Sequence, residues 1–446
     1  MNSEHPVISA FQSAAEQVPA YRSILDRSGT DPAGIHSLDD FRRDVPIIDK
    51  AQTFGSFPVA QLCRNGQIGK PTGVLTSSGH SGLFAFGIYD PDSAQGEIDR
   101  IDDALDMLFN VRSKATLLIN CLPMGVQVHT RACTLAQISV RADMATALVN
   151  QFAEHYEQII MIGEAAFIKH VLELGQSQGI DWRKLLVQII VGEEPLAENA
   201  RKYLQDIVGI DINQPETGFV GSSMGVAELG LNLFSELPEL IALRRFLHEN
   251  PVYRKAIFGE SSNNTPMLFA YDPRRVFVEI LEGGDMVLSV LDTNCPIPLI
   301  RYRTGDMASA LSREIITKIS PAMAQATSAM GELPIVAVEG RGEARSSGGV
   351  SVYPEEVKEG IYHNPELARM TTANFRLRSG REQGLLRIQL SPGVVAEAGL
   401  EEKFSEAISN YVMAPLKVEC EPYETFKGGM TLDYERKFAY IEKDTD

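Results

Sequence analysis

The apolar positions of the first 60 residues recur at helical spacing. The first group of them is Ile8, Phe11, Ala14 and Ala15. A second short helix is expected after Ser37, whose hydroxyl suits an N-cap, and Pro46 ends it. The chain is therefore predicted to begin with a helical segment.

Between residues 96 and 210, short apolar runs typical of buried strands alternate with helical patterns. The predicted elements are a strand at 115–120, helices at 131–151 and 165–175, a strand at 185–191, a helix through Leu204 and a strand near Asp211. This alternation predicts a layered α/β sheet, whose ligands bind outside the carboxyl ends of the strands. The loops at Thr76, Gly192 and Gly221 are placed in that way.

Residues 265–310 show the alternation of half-buried strands, whereas 311–334 carry a less ordered pattern. A Gly-Arg-Gly triplet then predicts a linker. The fold class is predicted to be α/β, with a large layered domain over 1–340, a hinge at 341–344 and a small α+β domain over 345–446.

The composition restricts the class of protein. The chain has 446 residues, of which 44% are apolar and 22% charged, as expected of a folded protein with two or three domains. The net charge of −18 argues against a nucleic-acid partner. The five cysteines form no CxxC pair, no signal-peptide pattern is present, and no apolar run reaches the ~18 residues of a membrane span. We therefore expect a cytoplasmic protein without a membrane partner.

The segment Pro298–Asp306, PLIRYRTGD, joins an apolar strand end to a Thr-Gly-Asp turn. Gly305 permits a tight turn, after which the carboxylate of Asp306 could accept from two neighbouring hydroxyls, such as those of ribose. Arg301 and Arg303 lie two residues apart, so on a strand they face the same side and could bind a phosphate or a carboxylate. The alternative is an edge strand that ends in a salt-bridged turn.

A second segment, Gly73–Gly82, leads a short strand into a loop rich in serine and glycine. Such a loop can turn successive backbone N–H groups and hydroxyls toward one anion, although the alternative is an ordinary hairpin loop. The Walker sequence is absent.

Farther along, Glu228 is a lone acid among small and apolar residues. Its burial would require a partner, either phosphate-bound magnesium or a backbone cap.

Taken in order, these segments resemble the adenylate-forming superfamily of acyl-CoA synthetases, peptide-synthetase adenylation domains and luciferases, and most of all its phenylacetate-CoA ligase branch. The resemblance covers nearly the whole chain. The matching segments are VPAYRSILDRSGTDPAGIHSLDDFRRDVPIIDK, TSSGHSG for the phosphate loop, GEEPL for the adenine segment, SMGVAELG, PLIRYRTGD for the ribose motif, GRGEARSSGGVSVYPEEVKEGI for the hinge and ERKFAYI for a catalytic lysine.

The resemblance implies a role for each matching residue. The ATP-binding residues would be Ser77, Ser78, Gly79, Ser81, Gly82, Glu193, Pro195, Met224, Asp306 and Arg341. Lys437 would bridge the substrate carboxylate and the α-phosphate, and Glu228 would coordinate magnesium. Glu343 would be the hinge of a mobile small domain, and Gly349 would lie in the acceptor channel. The substrate pocket would contain His129, Gly221 and Ser222, with a solvated loop position as the alternative for His129.

Three departures from the family pattern affect the expected ATP site. Gly82 is followed by Leu83 where the branch has lysine, so a positive charge near the leaving pyrophosphate is missing. Met224 replaces an aromatic ring, and Ala227 replaces a hydroxyl residue. Stacking and one hydrogen bond are each worth roughly 1 kcal/mol, so their loss predicts ~10-fold or more weaker ATP binding.

The resemblance implies ATP-dependent activation of a carboxylic acid as an acyl-adenylate, followed by transfer to a thiol such as coenzyme A. An aromatic acid is expected by analogy with branch members, whose relatives work in antibiotic pathways that include phenazine ones. One alternative is transfer to an amine, a carrier protein or a partner reductase. Another is a non-catalytic binding protein, which the missing loop lysine and Met224 favour.

Overall fold

The computed structural model of the chain describes residues 5–77, 82–123, 126–212, 214–259, 264–340, 344–426 and 438–442. The helices are α1 Pro6–Gln17, α2 Pro19–Ser28, α3 Leu38–Asp44, α4 Val59–Leu62, α5 Pro91–Phe109, α6 Ala142–Phe152, α7 Ala165–Ser177, α8 Glu198–Val208, α9 Pro238–Glu249, α10 Pro251–Phe258, α11 Arg313–Ile319, α12 Pro321–Ser328, α13 Pro354–His363, α14 Pro365–Arg369 and α15 Leu400–Ser409.

The strands are β1 Gly73–Thr76, β2 Phe86–Tyr89, β3 Thr116–Asn120, β4 Thr134–Gln137, β5 Gln158–Gly163, β6 Val187–Val191, β7 Gly218–Val226, β8 Gly230–Ser235, β9 Met267–Tyr271, β10 Val276–Ile280, β11 Asp285–Val290, β12 Tyr302–Ala310, β13 Ile335–Gly340, β14 Arg345–Ser347, β15 Val350–Val352, β16 Thr371–Arg378, β17 Gly384–Leu390 and β18 Leu416–Glu421. This mixture of helices and strands confirms the predicted α/β class. In the described ranges no helix is both long enough and apolar enough to cross a membrane.

The chain forms two compact units. The first unit comprises Met1–Ala104, Ser223–Leu237 and Leu268–Arg341, and the second comprises Leu105–Ser222, Pro238–Met267 and Gly342–Asp446. The boundary between the units at Arg341 and Gly342 falls inside the predicted hinge. However, the predicted large domain, 1–340, is divided between the two units, and 345–446 belong to the same unit as Leu105–Ser222. The predicted division into a large and a small domain remains a prediction.

The first unit contains a sheet with the strand order β10-β11-β12-β13-β9-β8, extended by residues 223–226 of β7. Apolar side chains of α1 to α3 form one buried core with the chain before β12. Within it, the rings of Phe11 and Phe41 meet edge to face at 6.0 Å. The predicted helical start of the chain is confirmed, and Ser37 and Asp40 cap α3 reciprocally.

The ribose-motif strand differs from its prediction in two ways. It lies between β11 and β13, so the edge-strand alternative is wrong. Thr304-Gly305-Asp306 is also not a terminal turn, because β12 continues to Ala310 and the register with β11 shifts between the Val287–Arg303 and Asp285–Met307 pairs. Gly305 has φ of +85°, which accommodates this bulge.

Arg301 is a buried structural residue rather than a phosphate ligand. Its φ is +52°, and its guanidinium binds the carboxylate of Glu279 through Nε and Nη2, both at 3.1 Å. Nη1 donates to the carbonyl oxygens of Arg42 at 2.9 Å and Val45 at 2.5 Å. The side chain therefore connects β10 to the end of α3 at the point where β12 begins.

Two helices, α11 and α12, lie within 311–334, the segment for which the sequence shows a less ordered pattern. Ser312 caps α11 by accepting from the backbone of Ile315, and Ser320 caps α12 by accepting from Met323. The two serines that precede these short helices were therefore the sequence signal from which the helices could have been predicted.

The second unit contains a parallel sheet with the order β7-β6-β5-β3-β4, to which β7 contributes Gly218–Ser222. Strands β3 and β6 confirm the predicted apolar runs. The helix prediction for 131–141 is wrong, since β4 forms there and α6 begins at Ala142. The strand predicted near Asp211 is also wrong, because the described residues there form turns before β7 begins.

The described residues after 343 form α13 to α15, the β14–β15 hairpin and the sheet β16-β17-β18, all in the second unit. The buried carboxylate of Glu359 accepts from the backbone amides of Glu198 at 2.7 Å and Asn199 at 2.9 Å. Ala197, at the N-cap of α8, has no side-chain acceptor, so Glu359 supplies the cap from α13. If α13 rotated away from α8, the amides of Glu198 and Asn199 would lose the Glu359 carboxylate and would have to bind water instead.

We predict that Arg301→Ala destabilises the protein by about 3–5 kcal/mol, because it leaves the Glu279 carboxylate buried without its cation. The matched control is Arg303→Ala, which removes an exposed pair with Asp285 at 3.7 Å and should cost less than about 1 kcal/mol. Denaturant unfolding of both variants measures the difference, and equal losses would contradict the structural role of Arg301.

Candidate nucleotide and acid site

The predicted phosphate loop is the connection of a β-hairpin in the first unit. Strands β1 and β2 pair antiparallel from Gly73–Tyr89 to Thr76–Phe86. Beyond them, the amide of Ser77 donates to the carbonyl oxygen of Ala85, and the amide of Ala85 donates to Ser77 Oγ, both at 2.9 Å. The hydroxyl of Ser77 therefore lies at the base of the loop, and Gly82 is exposed on its returning side with φ of +78°.

Glu228 lies in the turn between β7 and β8. The backbone of this turn at Ala227 packs closely against Gly87 in the β1–β2 hairpin. A Cβ added to Gly87 of β2 would lie 2.4 Å from the carbonyl oxygen of Ala227, so only glycine fits there. The Glu228 side chain is 6% exposed. Its Oε1 accepts a hydrogen bond from the hydroxyl of Tyr302 at 2.5 Å. Tyr302 of the ribose motif is thus the hydrogen-bond partner that the buried Glu228 carboxylate requires.

Asp306 lies four residues after Tyr302 on β12 and is half-buried. Its amide donates to Thr304 Oγ1 at 3.1 Å, which holds the bulge in shape. Met224 is also half-buried and is paired with Phe234 across β7 and β8. Within the first unit the structure therefore connects three parts: the β1–β2 hairpin that carries the serine-rich loop (the hydroxyl loop), the turn with Glu228, and β12 with Asp306 (the Asp306 strand).

The predicted substrate-pocket residues lie at the carboxyl edge of the parallel sheet in the second unit. Ser222 ends the pairing of β7 with β6, and its hydroxyl donates to the carbonyl oxygen of Val191 at 2.9 Å. Gly221 precedes it and is buried. His129 is exposed on a loop held by Gln137, whose amide donates to the carbonyl oxygen of Val128 at 2.7 Å.

The predicted adenine segment follows β6. Glu193 has φ of +76°, a left-handed conformation that is strained for a residue with a side chain, and Pro195 follows half-buried. Glu194 between them forms an ion pair of 2.6 Å with Lys358 of α13. The ammonium of Lys358 also lies 4.2 Å from the centre of the Tyr440 ring.

Glu164 adds a further carboxyl to this group. It directly follows β5 and is 7% exposed. Burial raises the pKa of the Glu164 carboxyl well above its ordinary value, the Glu194 carboxylate raises it further, and Lys358 acts in the opposite direction. The end of the parallel sheet therefore favours a protonated Glu164 beside the ion-paired Glu194.

Several predicted residues lie outside the described part of the chain: Ser78, Gly79, Ser81, Arg341, Glu343 and Lys437. Gly349 is described, and it forms the exposed tip of the β14–β15 hairpin together with Gly348. The φ values of +57° for Gly348 and +82° for Gly349 are those of a two-residue hairpin turn that suits glycine.

Sequence reasoning missed Lys50, whose Nζ donates to Ser77 Oγ at 3.2 Å. It also missed the role of Tyr302, although this residue stands inside the ribose motif. The apolar neighbours of Tyr302 predict that its side chain is buried. They do not predict that its hydroxyl donates to the carboxylate of Glu228. A lysine in a polar turn carries no signal that a hydroxyl loop lies beside it.

One curated relative shares sequence with nearly the whole chain. The chain is 22% identical over 411 residues to the phenylacetate-coenzyme A ligase of Thermus thermophilus, a match that covers 88% of this chain and 82% of that protein. No protein-family model matches the chain.

The fold matches solved structures of a 2-hydroxyisobutyryl-CoA ligase. The structure in the postadenylation state with R3-HIB-AMP has a TM-score of 0.70 and 14% identity, with coverage of 98% of this chain and 89% of that one. The open conformation with 2-HIB-AMP and CoA has a TM-score of 0.56 and 14% identity, with coverage of 98% and 91%.

The fold of the chain is thus that of the solved 2-hydroxyisobutyryl-CoA ligase structures. The sequence match and the shared fold confirm the predicted resemblance to the phenylacetate-CoA ligase branch.

We predict that Glu164→Gln stabilises the protein increasingly as pH rises from the ordinary glutamate pKa of about 4.5 toward the raised pKa of the buried carboxyl. A carboxyl whose folded-state pKa is raised binds a proton more tightly when folded, so the native protein loses stability as pH rises from the ordinary pKa through the raised one. Glutamine abolishes that loss. Unfolding temperatures of both proteins across this range test the effect, and a difference that is constant with pH would contradict it.

Proposed function

We propose that the protein uses ATP to convert a carboxylic acid into an acyl-adenylate and then transfers the acyl group to the thiol of coenzyme A. The main support is that the hydroxyl loop, Glu228 and the Asp306 strand are joined in one unit through Gly87 and Tyr302. The named relative and the solved ligases with R3-HIB-AMP and CoA point to the same reaction.

In this proposal the nucleotide is bound by three sets of residues. The phosphates meet the loop residues Ser77, Ser78, Gly79, Ser81 and Gly82, the ribose hydroxyls meet Asp306, and the adenine meets Glu193, Pro195 and Met224, with Arg341 in support. A carboxylate that accepts from two hydroxyls at once suits the position of Asp306 in a bulge, because the bulge turns its side chain out of the regular strand alternation.

Magnesium, which supplies positive charge at the phosphates when bound, fits this set of residues. It is usually held by one or two carboxylates together with substrate phosphates rather than by an all-protein cage. The described residues contain no group of three or more His, Cys, Asp or Glu side chains arranged for a metal. Glu228 is instead a single buried carboxylate next to the hairpin, so we assign it as the protein ligand.

The first step forms a bond between a carboxylate oxygen of the acid and the α-phosphorus of ATP, and breaks the bond to pyrophosphate. Lys437 would hold these two anions together and balance the charge on the phosphoryl oxygens. In the second step the thiol attacks the acyl carbonyl, loses its proton and releases AMP. Rotation about Glu343 would withdraw Lys437 and bring the Gly349 hairpin toward the adenylate.

An aromatic acid is the proposed substrate, since the relative's name specifies phenylacetate. It would bind between His129 and the Gly221–Ser222 strand end, which share the second unit. The antibiotic or phenazine setting rests on family resemblance alone, and an amine, carrier protein or partner enzyme is the alternative acceptor. The five free cysteines suit a reducing cytoplasm as the proposed compartment.

Pyrophosphate release over a panel of aromatic and aliphatic acids tests the proposal, with coenzyme A, a carrier protein or hydroxylamine as acceptor. We expect release that depends on an aromatic acid, a thioester with coenzyme A and a hydroxamate with hydroxylamine. Failure of every acid to yield pyrophosphate or hydroxamate would contradict an enzymatic role and favour the non-catalytic alternative.

We predict that Lys437→Ala lowers the rate of adenylate formation by orders of magnitude but leaves thioester formation from a preformed adenylate nearly intact, because the lysine acts only while the two anions are joined. Separate assays of the two half-reactions measure this. The matched control is Lys417→Ala, which removes an exposed lysine paired with Glu419 at 2.7 Å and should change neither rate. An equal loss in both half-reactions would contradict the assigned role.

A further inference from the structure

Lys50 lies beside the loop that lacks the family's lysine. Its ammonium donates to Ser77 Oγ at 3.2 Å, and the same oxygen accepts the Ala85 amide that closes the loop at 2.9 Å. Within the described part of the chain, no carboxylate forms an ion pair with Lys50. A half-buried cation next to a hydroxyl-rich loop, in a chain with a net charge of −18, is therefore left with its charge available to an anion.

The backbone around Lys50 is held in place from both sides. The amide of Ile48 donates to the carbonyl oxygen of Arg301 at 3.0 Å, and the amide of Arg303 donates to that of Ile48 at 2.8 Å. After Lys50, the buried hydroxyl of Thr53 donates to the carbonyl oxygen of Asp49 at 2.6 Å. The lysine thus projects from a fixed turn that is attached to the ribose-motif strand.

Leu83 stands where the family has its loop lysine, and it packs on the same turn. A Cβ added to Gly55 would lie 3.1 Å from Leu83 Cδ2, so the leucine is in contact with that glycine. The amide of Gly55 in turn donates to the carbonyl oxygen of Lys50 at 3.0 Å. The apolar side chain therefore joins the loop to the turn that carries the cation.

We propose that Lys50 supplies the positive charge for the β- and γ-phosphates of ATP that the phosphate loop itself lacks, with Leu83 as the apolar contact that positions it. This inference rests on the proposed function. A lysine ammonium is a compact point charge suited to phosphate oxygens, and Ser77 would share those oxygens as a hydroxyl donor.

The test is to measure the affinities of Lys50→Met for ATP, AMP and inorganic pyrophosphate in the presence of magnesium. Methionine keeps an unbranched stem and removes the charge. We expect ATP and pyrophosphate to bind ~10- to 100-fold more weakly while AMP changes by less than about twofold, since AMP lacks the outer phosphates. Lys50→Arg should retain most of the ATP affinity, and Lys50→Met with Leu83→Lys should regain part of it.

The control is Lys70→Met, an exposed lysine before the same hairpin, which should leave all three affinities unchanged. Equal weakening of ATP and AMP, or unchanged ATP affinity, would overturn the inference. If the wild-type protein releases pyrophosphate with an acid but Lys50→Met is unaffected, the inference fails and the proposed function stands. If the wild-type protein binds neither nucleotide, both fail.

Discussion

The buried guanidinium of Arg301 is the interaction on which the first unit depends. It neutralises Glu279 in β10 and donates to carbonyl oxygens at the end of α3, and its removal would leave these buried groups without their partner. The backbone of this residue is left-handed, with φ of +52°, and Tyr302 then begins the strand that carries Asp306. One cation thus fixes the helical start of the chain against the strand that is proposed to bind ribose.

The site follows from that anchor. Because Ile48 pairs with the backbone on either side of Tyr302, the turn after it has a fixed position beside the hydroxyl loop. The hydroxyl of Tyr302 in turn holds the Glu228 carboxylate, and the Gly87 contact brings the hairpin against the same turn. The three segments are therefore joined through backbone contacts as well as through the hydrogen bond between Tyr302 and Glu228.

Periodicity predicted the helical start, strands β3 and β6, and the α/β class, because long apolar runs specify burial whatever their partners are. It failed at β4, whose four residues are too few to distinguish a strand from a helix, and at α11 and α12, where serine caps were the main signal. The motifs supplied Asp306 and Glu228 as candidate site residues, and their roles remain predictions. They could not show that Arg301 pairs with Glu279 or that Lys50 meets Ser77, since those contacts join residues far apart in the chain.

We propose that the β1–β2 hairpin, the Glu228 turn and the Asp306 strand form one nucleotide site together with the Lys50 turn, and that this site depends on Arg301. Hydrogen–deuterium exchange with and without saturating MgATP tests it most directly. We expect simultaneous protection of amides in 45–55, 73–77, 226–230 and 301–308, with no comparable change in helix α2, whose apolar side chains lie in the buried core of the first unit. Protection confined to other segments, or none at a concentration of MgATP that supports pyrophosphate release, would contradict it.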